Sequence, residues 1–283
     1  MTQTTKKSHL GHLSDDAWED KLPTLKDLQS YDIWALRRHF LEKNFPNVSH
    51  FKTLEVGSGP GHDSLTFAQR GAEAHALDSS MHGLKHCKDI YKKEKLKITT
   101  HHASAEEIPL DDNTFDLTFN AGVLEHFTDE KLETVIDQMI RVTKPGGTIL
   151  AFCPNKHYFY YQHHLRRIAK NHRYPFERAF TAKQMKQRFQ ARGLPHIHVS
   201  GVHIHPAPNY YLPQWLPKIH KIEPFFRFCF RWLENYNGLH QLKSLASQDF
   251  VVWGTKPEQL EKPLSFKQLT PGGMPVVDRQ KSA

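Results

Sequence analysis

The chain has 283 residues, 38% of them hydrophobic, and a formal net charge of +8. This is enough chain for one domain with a full core. No apolar run reaches the ~18 residues that a membrane-crossing helix needs, and residues 1–20 are too polar for a signal peptide, so we expect a cytosolic protein. Cys87, Cys153 and Cys229 lie far apart without paired spacing, which predicts buried free thiols and neither disulfides nor a thiolate zinc site.

Strand-like and helix-like segments alternate along the chain, which predicts an α/β fold with a mainly parallel sheet. A helix over about residues 25–43 comes first. The predicted strands are 51–56, 74–77, 96–100, 115–120, a run after the KPGG turn at 144–147, and 197–204. The clearest helix has the apolar stripe Leu132, Val135, Ile136, Met139 and Ile140.

These elements predict three regions. Residues 1–50 form an arm and a helical cap, residues 51–255 form a single domain, and residues 256–283 form a poorly ordered tail with scattered prolines and charges. Within the domain, two segments stand out by composition, the basic segment 156–192 and the aromatic segment 206–247.

The glycine-rich loop LEVGSGPG, residues 54–61, directly follows the first predicted strand and indicates a nucleotide-like cofactor. The dinucleotide fingerprint G-x-G-x-x-G/A needs a small residue at position 62, which is His62, and no lysine follows the glycines as in a phosphate loop. Glu55, beside the predicted helix start, would compete with a pyrophosphate for the same backbone donors. A positively charged cofactor without phosphates fits better, with a nicotinamide cofactor as the alternative.

The loop resembles the first motif of the class I S-adenosylmethionine-dependent methyltransferases, whose cofactor carries a sulfonium and an ammonium. Further stretches resemble the same family in order: Asp78 at the end of the second strand, ASAEEIPLDDNTFDLTFNAGVLEHF at 103–127, and VTKPGGTILAFCPN at 142–155. The resemblance covers about residues 50–155 and is greatest to the small-molecule group that includes the quinone-biosynthesis enzymes. It implies a Rossmann-like fold with a seven-stranded, mostly parallel sheet, an antiparallel last strand and flanking helices.

The resemblance also implies a site for S-adenosylmethionine. Glu55 would orient the methionine part, Asp78 would hold the ribose hydroxyls, and Asn120 would lie near the methyl group. The remaining implied cofactor contacts are Gly57, Gly59 and Gly61, where the backbone approaches closely, and Ser104 and Ala105 at the adenine. The family often has an aspartate in place of Ser104, so a side-chain bond to adenine is in doubt there.

His126, just after the fourth strand, is the candidate catalytic base, because an ordinary histidine pKa of ~6.5 suits proton transfer. The alternative is that it only orders its loop or packs beneath the cofactor.

The basic segment 156–192 contains ten basic residues against one acidic residue, interleaved with aromatics. It predicts an acidic acceptor or an anionic surface, with Arg166 and Arg167 as substrate-binding residues, whereas a solvated helix face is the alternative. The aromatic segment 206–247 is predicted to form a lid over the acceptor, with peripheral membrane contact.

Nucleic acid is a disfavoured acceptor because NAGV follows the fourth strand, where many base-amine methyltransferases have Asp/Asn-Pro-Pro-Tyr/Phe. The histidine pairs in HIHVSGVHIH, residues 196–205, have strand spacing but no carboxylate or thiolate to complete a metal site, so no metal is expected. The sequence thus predicts methyl transfer to a small-molecule or lipid-like, anionic acceptor. A non-catalytic cofactor-binding subunit and an RNA methyltransferase are the alternatives.

Overall fold

The computed structural model describes residues 32–158, 178–202 and 247–258. The strands are β1 (Lys52–Val56), β2 (Glu73–Asp78), β3 (Thr99–His102), β4 (Phe115–Ala121), β5 (Thr143–Pro154), β6 (His198–Val202) and β7 (Asp249–Thr255). The helices are α1 (Asp32–Asn44), α2 (His62–Ala68), α3 (Met81–Lys93), α4 (Asp129–Val142) and α5 (Ala182–Gln190), and a one-turn 3-10 helix spans Leu124–His126. None of these helices is long and apolar enough to cross a bilayer.

The seven strands form one sheet in the order β3-β2-β1-β4-β5-β7-β6. β1 pairs in parallel with β2 and β4, and β7 pairs antiparallel with both β5 and β6. This arrangement confirms the predicted α/β fold with an antiparallel last strand. The strand order changes direction between β1 and β4, and ligands of such sheets bind beyond the carboxyl ends of the strands at that point.

Helices bury both faces of the sheet. The apolar stripe of α4 is buried against one face, as its spacing predicts, together with Leu54 and Val56 of β1. The other face packs against α1 and α2 through the buried rings of Phe67, Phe119 and Phe152. β1 is buried on both sides, which suits a central parallel strand.

Two helix starts are fixed by side-chain caps. The Ser80 hydroxyl accepts a hydrogen bond of 3.0 Å from the backbone amide of Gly83 and starts α3. At α5, Thr181 and Gln184 form a capping box. α3 therefore begins immediately after the end of β2, beside the glycine loop.

The third strand lies further along the chain than predicted. β3 spans Thr99–His102 and pairs with β2 from His75↔Thr99 to Asp78↔His102. Leu96 and Ile98, which suggested an earlier start, instead pack against the buried cluster between α2, α3 and β2. Their apolar character reflects this packing and not a position in the sheet.

The KPGG segment, 144–147, is not a free turn before the fifth strand but part of the long β5. The pairing of β5 with β4 jumps there from Phe115↔Thr143 to Leu117↔Thr148. The backbone amide of Gly146 donates to the Lys256 carbonyl at 2.8 Å, and the Lys256 amide donates to the Gly147 carbonyl at 2.8 Å. The glycines therefore form an irregularity in the strand that is tied to the residue after β7.

The margins of the predicted regions are described only in part. Lys256, where the predicted tail begins, is buried and donates from Nζ to the carbonyls of Ile140 (2.8 Å) and Thr143 (2.7 Å), so it belongs to the packed domain. β6 ends at Val202, and residues 203 and 204 of the predicted sixth strand lie outside the described residues. So do the arm before α1, Arg166, Arg167, Cys229 and nearly all of the aromatic segment 206–247. The three-region division stays a prediction.

Candidate active site

The glycine loop after β1 packs closely against its neighbours and has no room for a side chain at Gly57 or Gly61. The amides of Gly57 and Ser58 both donate to the Leu77 carbonyl, at 2.7 and 3.0 Å. Gly57 has φ +70, and a Cβ there would lie 2.5 Å from Val123 Cγ2. Gly61 also has φ +70, and a Cβ there would lie 2.5 Å from Cys87 Sγ. Only glycine fits at these two positions without displacing the core.

Asp78, at the end of β2, holds the same loop from the side. Its Oδ2 accepts a 2.6 Å hydrogen bond from the Gly59 amide, and its Oδ1 accepts a 2.7 Å bond from the Ser80 amide. The carboxylate is buried and lies between the loop and the start of α3. It therefore stands at the strand end where the sequence places the ribose contact.

Glu55 lies one residue before the end of β1 and is buried beneath the loop. Its Oε2 accepts hydrogen bonds from the amide of Ser64, at 2.9 Å, and from the Ser64 hydroxyl. Burial and, to a lesser extent, the nearby Asp63 raise the pKa of Glu55 to about 8. A cation beside this carboxyl would favour its charged form.

The other predicted contacts lie at the same end of the sheet, after β3 and β4. The Ser104 hydroxyl accepts from the Glu106 amide at 3.1 Å, so it orders its own turn, and Ala105 is buried next to it. Asn120 is fully buried near the end of β4 and donates from Nδ2 to Met139 Sδ at 3.1 Å. His126 ends the 3-10 helix that follows β4 and is partly buried.

A buried ion-pair cluster next to the loop was not predicted. The Arg37 guanidinium of α1 lies 3.4 Å from Asp63 of α2 and 3.7 Å from Asp249 of β7. It also lies over the rings of Trp34, at 5.2 Å, and Phe152, at 5.6 Å. These residues come from distant parts of the chain, and no spacing in the sequence connects them.

Burial raises the pKa values of two carboxyl groups of this cluster. Burial raises the pKa of Asp249 to about 6, against the opposing effect of Arg37. Burial also raises the pKa of Asp63, again opposed by Arg37. The side of the site facing α1 thus combines one arginine with more than one buried acid.

His62, the first residue of α2, was singled out in the sequence only because it breaks the dinucleotide fingerprint. Its ring is 9% exposed and meets Trp34 edge to face at 5.3 Å. Burial and, to a lesser extent, the neighbouring His86 lower its pKa to about 4. The imidazole is therefore neutral at pH 7.

Half of the basic segment 156–192 is described, and three of its arginines are used in the fold. Arg178 and Arg188 contact Asp129 at 2.7 and 2.6 Å, Arg188 also contacts Glu133, and Arg192 contacts Glu133 at 2.6 Å and Asp137 at 2.5 Å. The acids lie four residues apart on α4, so these ion pairs attach α5 to α4. For these arginines the structure supports neither a solvated face nor an acceptor contact.

The two described cysteines and His198 are packed within the fold. Cys87 and Cys153 are buried free thiols, as predicted, and burial raises the pKa of Cys87 to about 12. His198 stacks on Trp253 with the ring centroids 5.2 Å apart. Over residues 32–158, 178–202 and 247–258, no group of three histidine, cysteine or acidic side chains is arranged to hold a metal ion.

The residues present fit the cofactor that the sequence implies. The loop is a tight backbone turn that needs glycine, with φ +70 at both Gly57 and Gly61. Asn120 Oδ1 is buried without a hydrogen-bond partner within the described part of the chain, so an acceptor atom remains available beside the end of β4. Carboxyl groups at both sides of the loop suit a cofactor that is cationic and bears hydroxyls.

Comparisons with known proteins give the same assignment. Residues 53–147 match the family described as a methyltransferase domain. The ubiquinone/menaquinone biosynthesis C-methyltransferase of Idiomarina loihiensis is 30% identical over 135 residues, which are 46% of this chain and 53% of the relative. The ubiquinone biosynthesis O-methyltransferase of Pseudomonas fluorescens is 32% identical over 140 residues, which are 47% of this chain and 55% of the relative.

The fold is also found among solved structures. A SAM-dependent methyltransferase from Thermotoga maritima has a TM-score of 0.56 at 13% identity, and the match covers 80% of this chain and 89% of that one. The chain spans about half the length of these two curated relatives. The predicted fold is confirmed. Residues 53–147 match a methyltransferase domain and resemble curated methyltransferases, in agreement with the predicted family and cofactor class.

Proposed function

We propose that the protein transfers the methyl group of S-adenosylmethionine to a small-molecule or lipid-like acceptor. The observation that carries this proposal is the glycine loop between two buried carboxyl groups. Asp78 bonds the Gly59 amide on one side, and Glu55 lies beneath the loop on the other. Such a loop suits a cationic, hydroxyl-bearing cofactor better than a diphosphate.

Each side chain around the loop has a role in binding the cofactor. Asp78 accepts from the ribose hydroxyls, for which it exchanges its present backbone donors. Glu55 would neutralise the ammonium end, and Asn120 Oδ1, which is unpaired within the described residues, would accept from the cofactor near its methyl group. Ser104 and Ala105 line the adenine. When bound, the cofactor supplies an activated methyl group on a sulfonium, so the protein has mainly to align the acceptor and exclude water.

The acceptor binds beyond the carboxyl ends of β4 and β5. Some of the buried polar atoms that have no partner in the described ranges lie at this end of the sheet: Asn120 Oδ1, Ser247 Oγ, Gln248 Oε1 and, across Asp249, Arg37 Nε. Because buried polar atoms are rarely left unpaired in folded proteins, these atoms support a polar ligand at this position. His126 ends the 3-10 helix at the same edge and remains the proposed base for a hydroxyl acceptor.

Two long segments of the chain, 159–177 and 203–246, begin and end near the carboxyl end of the sheet. The segment 159–177 leaves after Tyr158 and returns before Phe180, which bridges to Asn155 just past β5. β6 ends at Val202, opposite Asp249, so the segment 203–246 also starts and finishes here. This attachment supports the proposal that Arg166 and Arg167 bind an anionic part of the acceptor and that residues 206–247 cover it, in a cytosolic enzyme with peripheral membrane contact.

A ligand-induced shift in melting temperature tests the cofactor part of the proposal. S-adenosylhomocysteine at 100 times its dissociation constant should stabilise the protein by about 2.7 kcal/mol, and NADH should not. A shift with NADH alone would contradict the proposal. A non-catalytic cofactor-binding subunit would give the same shift as the enzyme, so S-adenosylhomocysteine formation from S-adenosylmethionine in a cell extract is measured in parallel.

A further inference from the structure

His62, the residue immediately after the glycine loop, is not among the residues proposed to bind the cofactor or to act as the base. His62 follows Gly61 and begins α2, so its side chain leaves the backbone where the cofactor loop ends. The imidazole is 9% exposed and is covered by Trp34 of α1, the helix that also carries Arg37. His62 thus lies between the cofactor loop and the helix that covers this side of the site.

Both ring nitrogens of His62 are buried and have no hydrogen-bond partner among residues 32–158, 178–202 and 247–258. His75, the other histidine that is buried within the described ranges, is paired on both sides. It is hydrogen-bonded to Glu73 through Nε2 and to His101 through Nδ1, both at 2.9 Å. Because buried polar groups in folded proteins are nearly always satisfied, the free nitrogens of His62 point to a ligand.

The chemistry of the ring defines what that ligand offers. Burial and the nearby His86 lower the pKa of His62, so the ring is neutral at pH 7 and presents one N–H donor and one nitrogen acceptor. A neutral ring does not attract a carboxylate by charge. Glu55 and Asp78 are the groups proposed to bind the cofactor, which leaves His62 for the acceptor. A hydroxyl, carbonyl or amine of the acceptor can bond either nitrogen.

We propose that His62 is an acceptor-binding residue that hydrogen-bonds a polar group of the methyl acceptor and orients it above the glycine loop. This inference rests on the proposed methyl transfer. It adds a polar contact from α2 to the proposed base His126, which follows β4. Trp34 supports the ring from the side of α1 and limits its rotation.

Two substitutions separate hydrogen bonding from packing. His62→Phe keeps a flat ring against Trp34 but removes both nitrogens, and His62→Gln keeps one donor and one acceptor. His75→Phe is the matched control, because His75 is equally buried, at 6% exposed, but lies within β2 with its nitrogens paired. The readouts are the dissociation constant of S-adenosylhomocysteine by calorimetry and the initial rate of label transfer from methyl-labelled S-adenosylmethionine into a dilute cell extract.

We expect His62→Phe to lower the transfer rate at least tenfold at low extract concentration and to leave the dissociation constant of S-adenosylhomocysteine within twofold. His62→Gln should recover part of the rate, and His75→Phe should transfer label as the wild type does. A parallel loss of S-adenosylhomocysteine affinity in His62→Phe would assign the residue to the cofactor and overturn the proposal. A wild-type rate in His62→Phe would also overturn it. If the wild type itself transfers no label, methyl transfer fails and the inference falls with it.

Discussion

Two glycines of this chain have the same backbone conformation in different surroundings, which separates backbone strain from steric exclusion. Gly57 has φ +70, with Val123 filling the space of a Cβ, whereas Gly146 has φ +76 and nothing within 4 Å of a Cβ. The cofactor loop therefore depends on glycine for two reasons and the β5 irregularity for only one. At the residue scale, the loop is a backbone turn that packs directly against the side chains of Val123 and Cys87.

Gly57→Ala should weaken S-adenosylhomocysteine binding at least tenfold, because the methyl group must displace Val123 and the loop with it. It should also lower the free energy of unfolding by about 2–3 kcal/mol, against about 1 kcal/mol for Gly146→Ala, which carries only the backbone strain. Calorimetry and urea unfolding measure both effects. Equal losses of affinity in the two variants would contradict this description of the loop.

Asp78 and Asp116 provide a second matched comparison. Both accept a backbone amide, Asp78 from Gly59 at 2.6 Å and Asp116 from Lys52 at 2.8 Å, but Asp116 lies at the opposite end of the sheet. Asp78→Ala should weaken S-adenosylhomocysteine binding tenfold or more, since two hydrogen bonds to a charged group are lost at about 1.5 kcal/mol or more each. Asp116→Ala should bind as the wild type does. Unchanged affinity in Asp78→Ala would remove Asp78 from the site.

Glu55 makes the stability of the cofactor-free protein depend on pH. Its pKa is raised from 4.5 to about 8 by burial, so the folded state retains a proton that the unfolded state loses. The resulting stabilisation is fully present below about pH 4.5 and is lost as the pH rises to 8, at no more than about 1.4 kcal/mol per pH unit. Glu55→Gln removes this term. Its unfolding free energy should gain on that of the wild type between pH 6 and pH 8, and parallel curves would refute the assignment.

At the scale of elements, α5 packs on the core through Met185 and Phe189, and arginines within and beside it pair with α4. Arg192 contacts Glu133 and Asp137 of α4, and its side chain is 9% exposed. Although burial acts to raise the pKa of Asp129, Arg178 and Arg188 hold it below its ordinary value, as expected for a carboxylate within this network. The charge of this part of the basic segment is thus a feature of folding.

Arg192→Met should destabilise the protein by about 2 kcal/mol, because the largely buried Glu133 loses one of its two arginine partners and Asp137 loses its bond to Arg192. The control is Arg38→Met on α1, where the Arg38–Glu42 pair is 47% and 39% exposed and should contribute less than about 0.5 kcal/mol. Urea unfolding of the two variants makes the comparison. If Arg192→Met were as mild as Arg38→Met, the network would not attach α5.

Periodicity and turn chemistry predicted most elements because the central strands and α4 are buried in regular patterns. The third strand was misplaced because Leu96 and Ile98 pack on helices, and one apolar pattern is compatible with either environment. Glu55, the loop glycines and Asp78 could be found because they adjoin one another along β1 and β2. Arg37, Asp63 and Asp249 could not, since only the tertiary fold brings α1, α2 and β7 together.

At the scale of the whole molecule, the antiparallel last strand places its first residues at the carboxyl end of the parallel strands, where the proposed site lies. Because β7 runs antiparallel to β5, its first residue, Asp249, lies opposite Pro154, the last residue of β5. The carboxyl ends of the parallel strands, the glycine loop and the start of β7 therefore meet where α1 covers the sheet. A ligand bound at this edge would be contacted by residues from both ends of the chain.

The central claim is that the protein transfers a methyl group at the carboxyl end of its sheet. The most direct test is to follow labelled methyl from S-adenosylmethionine in a cell extract. After incubation with the protein, the extract is separated into lipid, small polar, nucleic-acid and protein fractions. Label should appear in the lipid or small polar fraction with the wild type and be greatly reduced with Asp78→Ala. Label in RNA would contradict the proposed acceptor, and no label in any fraction, despite binding of S-adenosylhomocysteine, would contradict catalysis.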